Sequence, residues 1–585
     1  MCRILRALGT RMIRDPARRI SNREELIFSR ALQPHRWHVP SMLYFPEIMR
    51  NRLPLILLVL VLVASVVGGL VGDRVRAGSS THEDEKLILR FSEVLALIES
   101  SHAREVSPEI LVENAIQGLL RTLDPHSAFF ATPDYSRLQE EQRGKYYGLG
   151  ITIRAESPGS GRVLVVEPPV PGTPAYRAGI KAGDVISEIS GEPIEDWDVN
   201  EDVIPQLKGP RGTTVDITVE RSGETQPLHF TIERDEIPLY TIKYAFQVQP
   251  GVGYIRIDKF SETTRSELDK ALQDLRQANM EALILDLRSN PGGALTAAIE
   301  VSDRFLEKNQ LVVSTRSRDQ GENRSFKATR GSREKYPMIV LIDENSASAS
   351  EIVAGALQDH GRALIVGQTS FGKALVQTIY PLDGGKRGLA LTTGKYYTPN
   401  DRLIQRDYSD GFYNYFYRRH QTARVGEEGH LKEEEGGIEP DEFVSPEAAS
   451  RLLRAIARKD LFFKFARKLW THEIETALPF ERVPDDYTSL PALDKEQLLG
   501  ETRIGPEVLE EFRLYLLRQE FGFEEQEFEE DADILANHIQ QRIYLKLFGD
   551  REGYRISLDI DRQVQRALDL LPRARSLVQK SLASG

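Results

Sequence analysis

Leu283-Ile284-Leu285-Asp286-Leu287-Arg288-Ser289-Asn290-Pro291-Gly292-Gly293 is the stretch on which the reading of residues 250–400 turns. Its apolar start, closed by a Ser-Asn-Pro-Gly-Gly loop, reads as a buried strand running from Leu283 to Leu287. Two glycines after a strand let backbone approach a ligand closely. A tight turn is the commoner use of Pro-Gly. Beyond the loop a helix is expected from about Ala294 to Leu306. Met338 to Ile342 is a second buried strand. Ser350 to Leu357 turns helical, with Ile352, Val353, Ala356 and Leu357 on one face and Gly361 as its stop. Ala363 to Val366 is the next strand, so the region is α/β.

On the N-terminal side, residues 142–234 alternate short strand-like runs with glycines. These are Gly148-Leu149-Gly150-Ile151-Thr152-Ile153, Val163 to Val166, Asp184 to Ile186 and Val215 to Val219, and they predict a small β-rich module. Residues 86–140 carry helical spacing in Phe91, Val94, Leu95, Leu97 and Ile98, and again in Ile110, Leu111, Ala115, Leu119 and Leu120. Asp124-Pro125-His126 marks a turn. An acidic, glycine-rich loop follows Gly426, and 446–585 read as mostly helical. The acidic cluster from Glu524 to Asp533 reads as a solvated face.

A chain of 585 residues exceeds one hydrophobic core, and roughly three or four domains are expected. The net charge of −12 argues against a nucleic-acid binder, which needs a basic footprint. The only cysteine is Cys2, which excludes an internal disulfide framework and a cysteine-based metal site. Leu53 to Val71 is uncharged and apolar, close to the ~20 residues a membrane span needs. Arg50 and Arg52 precede it, and Asp73, Arg74 and Arg76 follow it before the acidic Glu83-Asp84-Glu85. On balance this predicts a cytoplasmic N-terminus and an exported body, with the two following arginines counting against it. A signal-anchor is favoured over a cleaved signal peptide, because no small-x-small cleavage site is visible. Residues 1–48 are arginine-rich, and Met49-Arg50-Asn51-Arg52 before the apolar run is how a signal-anchor begins. Translation from Met49 is therefore an expectation alongside a basic extension.

Between strand and helix lies Asn345-Ser346-Ala347-Ser348-Ala349-Ser350-Glu351. A sharp strand-to-helix turn exposes a hydroxyl, and the helix N-terminus offers free N–H groups for an oxyanion. Serines before helices are also ordinary caps, and Ser350 is a candidate for that role. A nucleophilic serine needs a base. His360 lies at the far end of the same helix and points away. Lys373, in Ser370-Phe371-Gly372-Lys373-Ala374-Leu375-Val376-Gln377, follows the strand ending at Val366. At its ordinary pKa a lysine is about 0.04% neutral at pH 7, and bringing it to about 7 takes roughly 4 to 5 kcal/mol of differential solvation. The apolar neighbours of Lys373 are suited to supply it.

The ordered combination of Leu285 to Gly293, Ser346 to Glu351 and Phe371-Gly372-Lys373 resembles the C-terminal processing peptidases, the tail-specific Ser-Lys proteases of family S41. Residues 115–153 add to it through Ala115-Ile116, Leu123-Asp124-Pro125-His126-Ser127 and Tyr147-Gly148-Leu149-Gly150-Ile151. The resemblance runs from about residue 88 to about 445. It implies Ser348 as nucleophile, Lys373 as base at the family's spacing (373 − 348 = 25), and Gln377 as the residue orienting Lys373. It implies an oxyanion hole of Ala349 N–H and an N–H from Gly292 or Gly293. The β-module resembles a PDZ domain, whose carboxylate-capturing loop would be Tyr147, Gly148, Leu149, Gly150 and Ile151.

The implied fold is an α+β multidomain chain. It comprises a basic extension (1–48), a transmembrane helix (53–72), a helical region (83–140), a PDZ β-module (142–234), an α/β crotonase-like protease core (236–445) and a helical C-terminal extension (446–585). The implied activity is endoproteolysis of exported proteins with apolar C-terminal tails, without cofactor or metal, on the periplasmic side of an inner membrane. The C-terminal extension, longer than the family core requires, suggests homo-oligomerisation or a regulatory adaptor. The rivals are a catalytically silent PDZ adaptor and a PDZ protease with a Ser-His-Asp triad. The second needs a different serine motif and a well-placed histidine, and neither is visible.

Overall fold

In the computed structural model, residues 82–584 are described apart from short interruptions, the longest being 156–162, 418–423, 426–430 and 485–489. The expected extension 1–48 and membrane span 53–72 lie outside the described residues. Among the described residues no helix is long and apolar enough to cross a membrane. The chain divides into two units at His102. The first contributes one described helix, His82–Ser101. All other described elements belong to the second, Ala103–Gly585.

The apolar runs read from the sequence line up side by side. Six strands form one sheet in the order Tyr244–Gln249, Val252–Arg256, Ala282–Asp286, Met338–Ile342, Leu364–Gly367 and Glu442–Phe443. The first pair is antiparallel and the rest are parallel. Alternate residues of each strand face opposite sides, and here both sides are dry. Leu283, Leu285, Val340, Ile342 and Ile365 pack with the helices Thr264–Gln277, Leu295–Asp303 and Ala349–Asp359 through Leu272, Val301, Val353 and Leu357. Ile284, Ile339, Leu341, Leu364 and Val366 pack with Leu558, Val564, Ala567, Leu570 and Ala574. Double-sided burial is why these strands read as unbroken apolar runs and not as alternating ones.

Those last five residues belong to the expected C-terminal extension. The extension is helical as anticipated but divides in its packing. Residues 451–548 gather around their own core of Phe465, Phe512, Leu535, Ile539 and Ile543. The helices Asp550–Ser557, Arg562–Asp569 and Leu571–Ser584 follow, and they cover the second face of the sheet.

A second sheet places Ala128–Phe130, Arg387–Tyr397, Leu311–Ser317 and Arg324–Lys327 in that order, and Leu375–Leu382 pairs with Arg387–Tyr397 as a hairpin. The β-module holds the sheet Ile153–Ala155, Val163–Val165, Val185–Ile189, Thr214–Glu220 and Leu228–Glu233. The run Gly148 to Ile153, expected as strand, is interrupted. One strand ends at Gly148 and the next starts at Ile153. Gly150 has φ +83°, which turns the chain between them, and a Cβ there would lie 2.5 Å from Thr173.

Candidate active site

Three serines compete for the turn before the helix Ala349–Asp359, and their surroundings separate them. Ser346 is fully buried, and its hydroxyl donates to the Leu287 carbonyl at 2.8 Å. Ser350 is fully buried, and its hydroxyl donates to the Asn290 carbonyl at 3.0 Å. Both tie the helix start to the loop that follows the strand Ala282–Asp286. Ser348 lies between them and lines a cavity of about 440 Å³. It occupies the N-cap position, with φ +54° and ψ −110°. A positive φ in a non-glycine residue is strained and marks a sharp strand-to-helix turn. The cap is therefore Ser348, and Ser350 sits inside the first helical turn as a brace.

Glu351 holds the turn in place. Fully buried, its carboxylate accepts the Ser348 N–H at 2.7 Å and the Lys373 N–H at 2.9 Å. Its other oxygen accepts the Gly372 N–H and the Ser370 hydroxyl, both at 2.6 Å. One side chain thus staples the serine turn to the lysine loop. Burial pushes its carboxyl up to about 7, against four hydrogen bonds that favour the ionised form. The Tyr396 hydroxyl adds a second staple, lying between the carbonyls of Ser348 and Lys373.

Lys373 lines the same cavity as Ser348. Burial holds its ammonium below the ordinary lysine range, opposed by the charges of Glu351 and Asp124. Its Nζ donates to Gln377 Oε1 at 2.9 Å, and Gln377 Nε2 donates to the His126 carbonyl at 2.7 Å. Among the described residues Nζ makes no hydrogen bond with the Ser348 hydroxyl. Catalytic hydrogen bonds are often long before substrate binds. His126 also lines the cavity, but burial first and the Lys373 charge second push its imidazole down to about 3. It is neutral, with Nε2 2.9 Å from the Tyr415 hydroxyl.

The glycine loop forms the opposite wall. Buried Asn290 donates to the Ile257 carbonyl at 2.7 Å and accepts the Gly292 N–H at 2.8 Å. The Gly292 N–H, one of the two anticipated oxyanion donors, is therefore already engaged. Gly292 still shapes the wall: at φ +99°, a Cβ there would lie 2.8 Å from Ser348 Cβ and 2.9 Å from Ala349 N. Gly293 bridges to Phe260, whose carbonyl would lie 2.0 Å from an added Cβ. Apolar Phe130, Leu138, Leu295, Ile352, Leu375 and Ile379 line much of the remainder.

The family model of peptidase family S41 matches residues 251–410, and a PDZ domain model matches 165–221. A carboxy-terminal-processing protease of Bartonella bacilliformis is 42% identical over 325 residues, covering 55% of this chain and 73% of that one. The chain belongs to peptidase family S41. It is a serine-type peptidase of the carboxy-terminal processing kind. The carboxy-terminal processing protease CtpB of Bacillus subtilis is 35% identical over 55% of this chain and 67% of its own. Among solved structures, the photosystem II D1 C-terminal processing protease is 25% identical over 61% of this chain and 92% of that chain, with a TM-score of 0.31.

In this S41 chain the anticipated Ser348, Ala349, Gly292, Gly293, Lys373 and Gln377 share one cavity. The anticipated peptide loop Tyr147 to Ile151 does not line it. Leu149 packs with Val203 and Leu207 of the segment Val199–Leu207, with Ile151 and Ile153 against them. The Leu149 carbonyl accepts the Ala175 N–H at 2.9 Å. Among the described residues, the strand after the loop, Ile153–Ala155, is an edge strand paired only with Val163–Val165. Sequence reasoning missed four residues of the S41 site: Glu351 as staple, Asn290 as loop brace, Tyr396, and His126. Asn290, Glu351 and His126 sat in quoted motifs, where nothing local marked them as parts of the site. Tyr396 carried no signal.

Proposed function

We propose that this peptidase cleaves exported proteins with a Ser348–Lys373 dyad, and that its β-module selects substrates by their C-terminal tails. The observation that carries the dyad is the sorting of the serines: Ser346 and Ser350 are engaged with backbone carbonyls, and Ser348 alone of the three opens on the cavity that Lys373 lines. Neutral Lys373 takes the Ser348 proton as the hydroxyl attacks a peptide carbonyl. Gln377 orients the amine beforehand. The oxyanion is received by the N–H groups of Ala349 and Gly293, since the Gly292 N–H belongs to Asn290. Protonated Lys373 then donates to the leaving amine, and an activated water releases the acyl group. His126 at about 3 is a poor base at neutral pH.

The tail reading is supported by an edge strand preceded by a glycine turn, the arrangement that accepts an added peptide strand and its terminal carboxylate. Gly148, Leu149, Gly150 and Ile151 supply the turn, with Tyr147 before it. The segment Leu53 to Val71 anchors the chain with its body on the extracytoplasmic side, a reading supported by sequence alone. Residues 451–548, with their own core, are the part suited to a second copy or an adaptor.

The test is cleavage of an unstructured protein ending in an apolar tail by the full chain in detergent. Cleavage that stops with Ser348→Ala and weakens when the tail is made acidic is expected. Cleavage by Ser348→Ala sinks the dyad, and indifference to the tail sinks the PDZ role.

A further inference from the structure

The chain's last helices grip the turn from which the glycine loop departs. Asp286 ends its strand fully buried. Its carboxylate accepts the Arg288 N–H at 2.9 Å, the Arg288 guanidinium through Nη2 at 2.6 Å and Nε at 3.0 Å, and the Tyr254 hydroxyl at 2.6 Å. The other side of the guanidinium donates through Nη1 to Asp561 at 2.8 Å and to Gln563 Oε1 at 2.8 Å. Asp561 also caps the helix Arg562–Asp569, accepting the N–H groups of Gln563 and Val564. Gln563 is tied in turn to the Val444 carbonyl at 2.7 Å. Arg256 donates to the Arg288 carbonyl at 3.3 Å and to the Tyr554 hydroxyl at 3.1 Å.

Arg288, only 11% exposed, is thus held on one side by the sheet and on the other by the C-terminal helices. The loop Ser289 to Gly293 begins at the next residue. None of the groups gripping Arg288 lines the catalytic cavity. We propose that Asp561 and Gln563 are positioning residues for catalysis. By fixing Arg288 they set the pose of the glycine loop, and with it the Gly293 N–H. This rests on the reading of Gly293 as an oxyanion donor, and it makes the C-terminal helices a working part of the active site.

The test measures kcat, KM and melting temperature of the full chain on a peptide reporter. Asp561→Asn keeps an N-cap acceptor and removes the charge facing Arg288. We expect kcat to fall on the order of tenfold or more, with KM held within about twofold. Asp561→Glu should recover part of the loss. Arg566→Ala breaks the pair with Glu442 made from the same helix and should keep the unmutated kcat. An unchanged kcat in Asp561→Asn, or an equal loss in Arg566→Ala, overturns the proposal. If Asp561→Asn does not fold, Gln563→Leu decides: a lower kcat at unchanged KM supports it, an unchanged kcat overturns it. Ser348→Ala is run alongside. Cleavage surviving there overturns the site reading beneath the proposal. A dead Ser348→Ala beside a fully active Asp561→Asn overturns the positioning role alone.

Discussion

At the scale of single residues, function rests on which hydroxyl and which amine are left for chemistry. Ser350→Ala removes one donor to an Asn290 carbonyl that still accepts the Ala347 N–H at 3.0 Å. A cost of about 1 kcal/mol in unfolding free energy is expected, with cleavage retained. Glu351→Gln is predicted to be far worse. A glutamine offers one acceptor oxygen where four donors converge, so at least two buried groups lose their partner, and a loss of about 2 kcal/mol or more is expected in denaturant unfolding. Glu351 also gives a pH signature. Its carboxyl is raised from 4.5 to about 7, so the folded state binds the proton more tightly than the unfolded one. Its contribution to stability is fully present below 4.5 and is lost as pH rises through about 7. That part of the melting profile should vanish in Glu351→Gln. The sequence showed Ser348, Lys373 and Gln377 through motif order and spacing. It did not show Glu351 as a staple, because nothing local reveals that residues 348, 370, 372 and 373 converge on one carboxylate.

At the scale of elements, the strand-to-loop transition after Asp286 was legible because burial on both faces leaves an unbroken apolar run. The break at Leu149 was not, because a buried leucine flanked by glycines reads as strand until Thr173 is found against Gly150. Gly292→Ala is the sharpest test at this scale. Its Cβ would crowd Ser348 Cβ at 2.8 Å and Ala349 N at 2.9 Å from a left-handed backbone. We expect a folded chain whose kcat drops by about 10²- to 10³-fold, as when an oxyanion donor is lost. A kcat near that of the unmutated chain would show that the loop is not the wall of the reacting site.

At the scale of the whole molecule, residues 446–585 read as one helical extension because each helix is amphipathic by itself. Only tertiary packing reveals that the final helices close the core sheet while 451–548 build a core of their own, which Ile556 of the first final helix joins. A chain ending at Gly549 would bare Ile284, Ile339, Leu341 and Val366, and is expected to be insoluble on expression. Within the intact chain, Leu570→Ala should cost about 2 to 5 kcal/mol in unfolding free energy. A soluble, active truncation at Gly549 would contradict the two-faced core.

The most direct test of the central claim is the pH dependence of kcat/KM for the full chain beside Lys373→Ala. A desolvated lysine base predicts a rate that climbs with pH through one limb. The midpoint of that limb lies below the ordinary lysine value of 10.5, and it disappears with Lys373. A Lys373→Ala chain that keeps the unmutated kcat/KM together with its pH dependence would contradict the account and hand the base to another group.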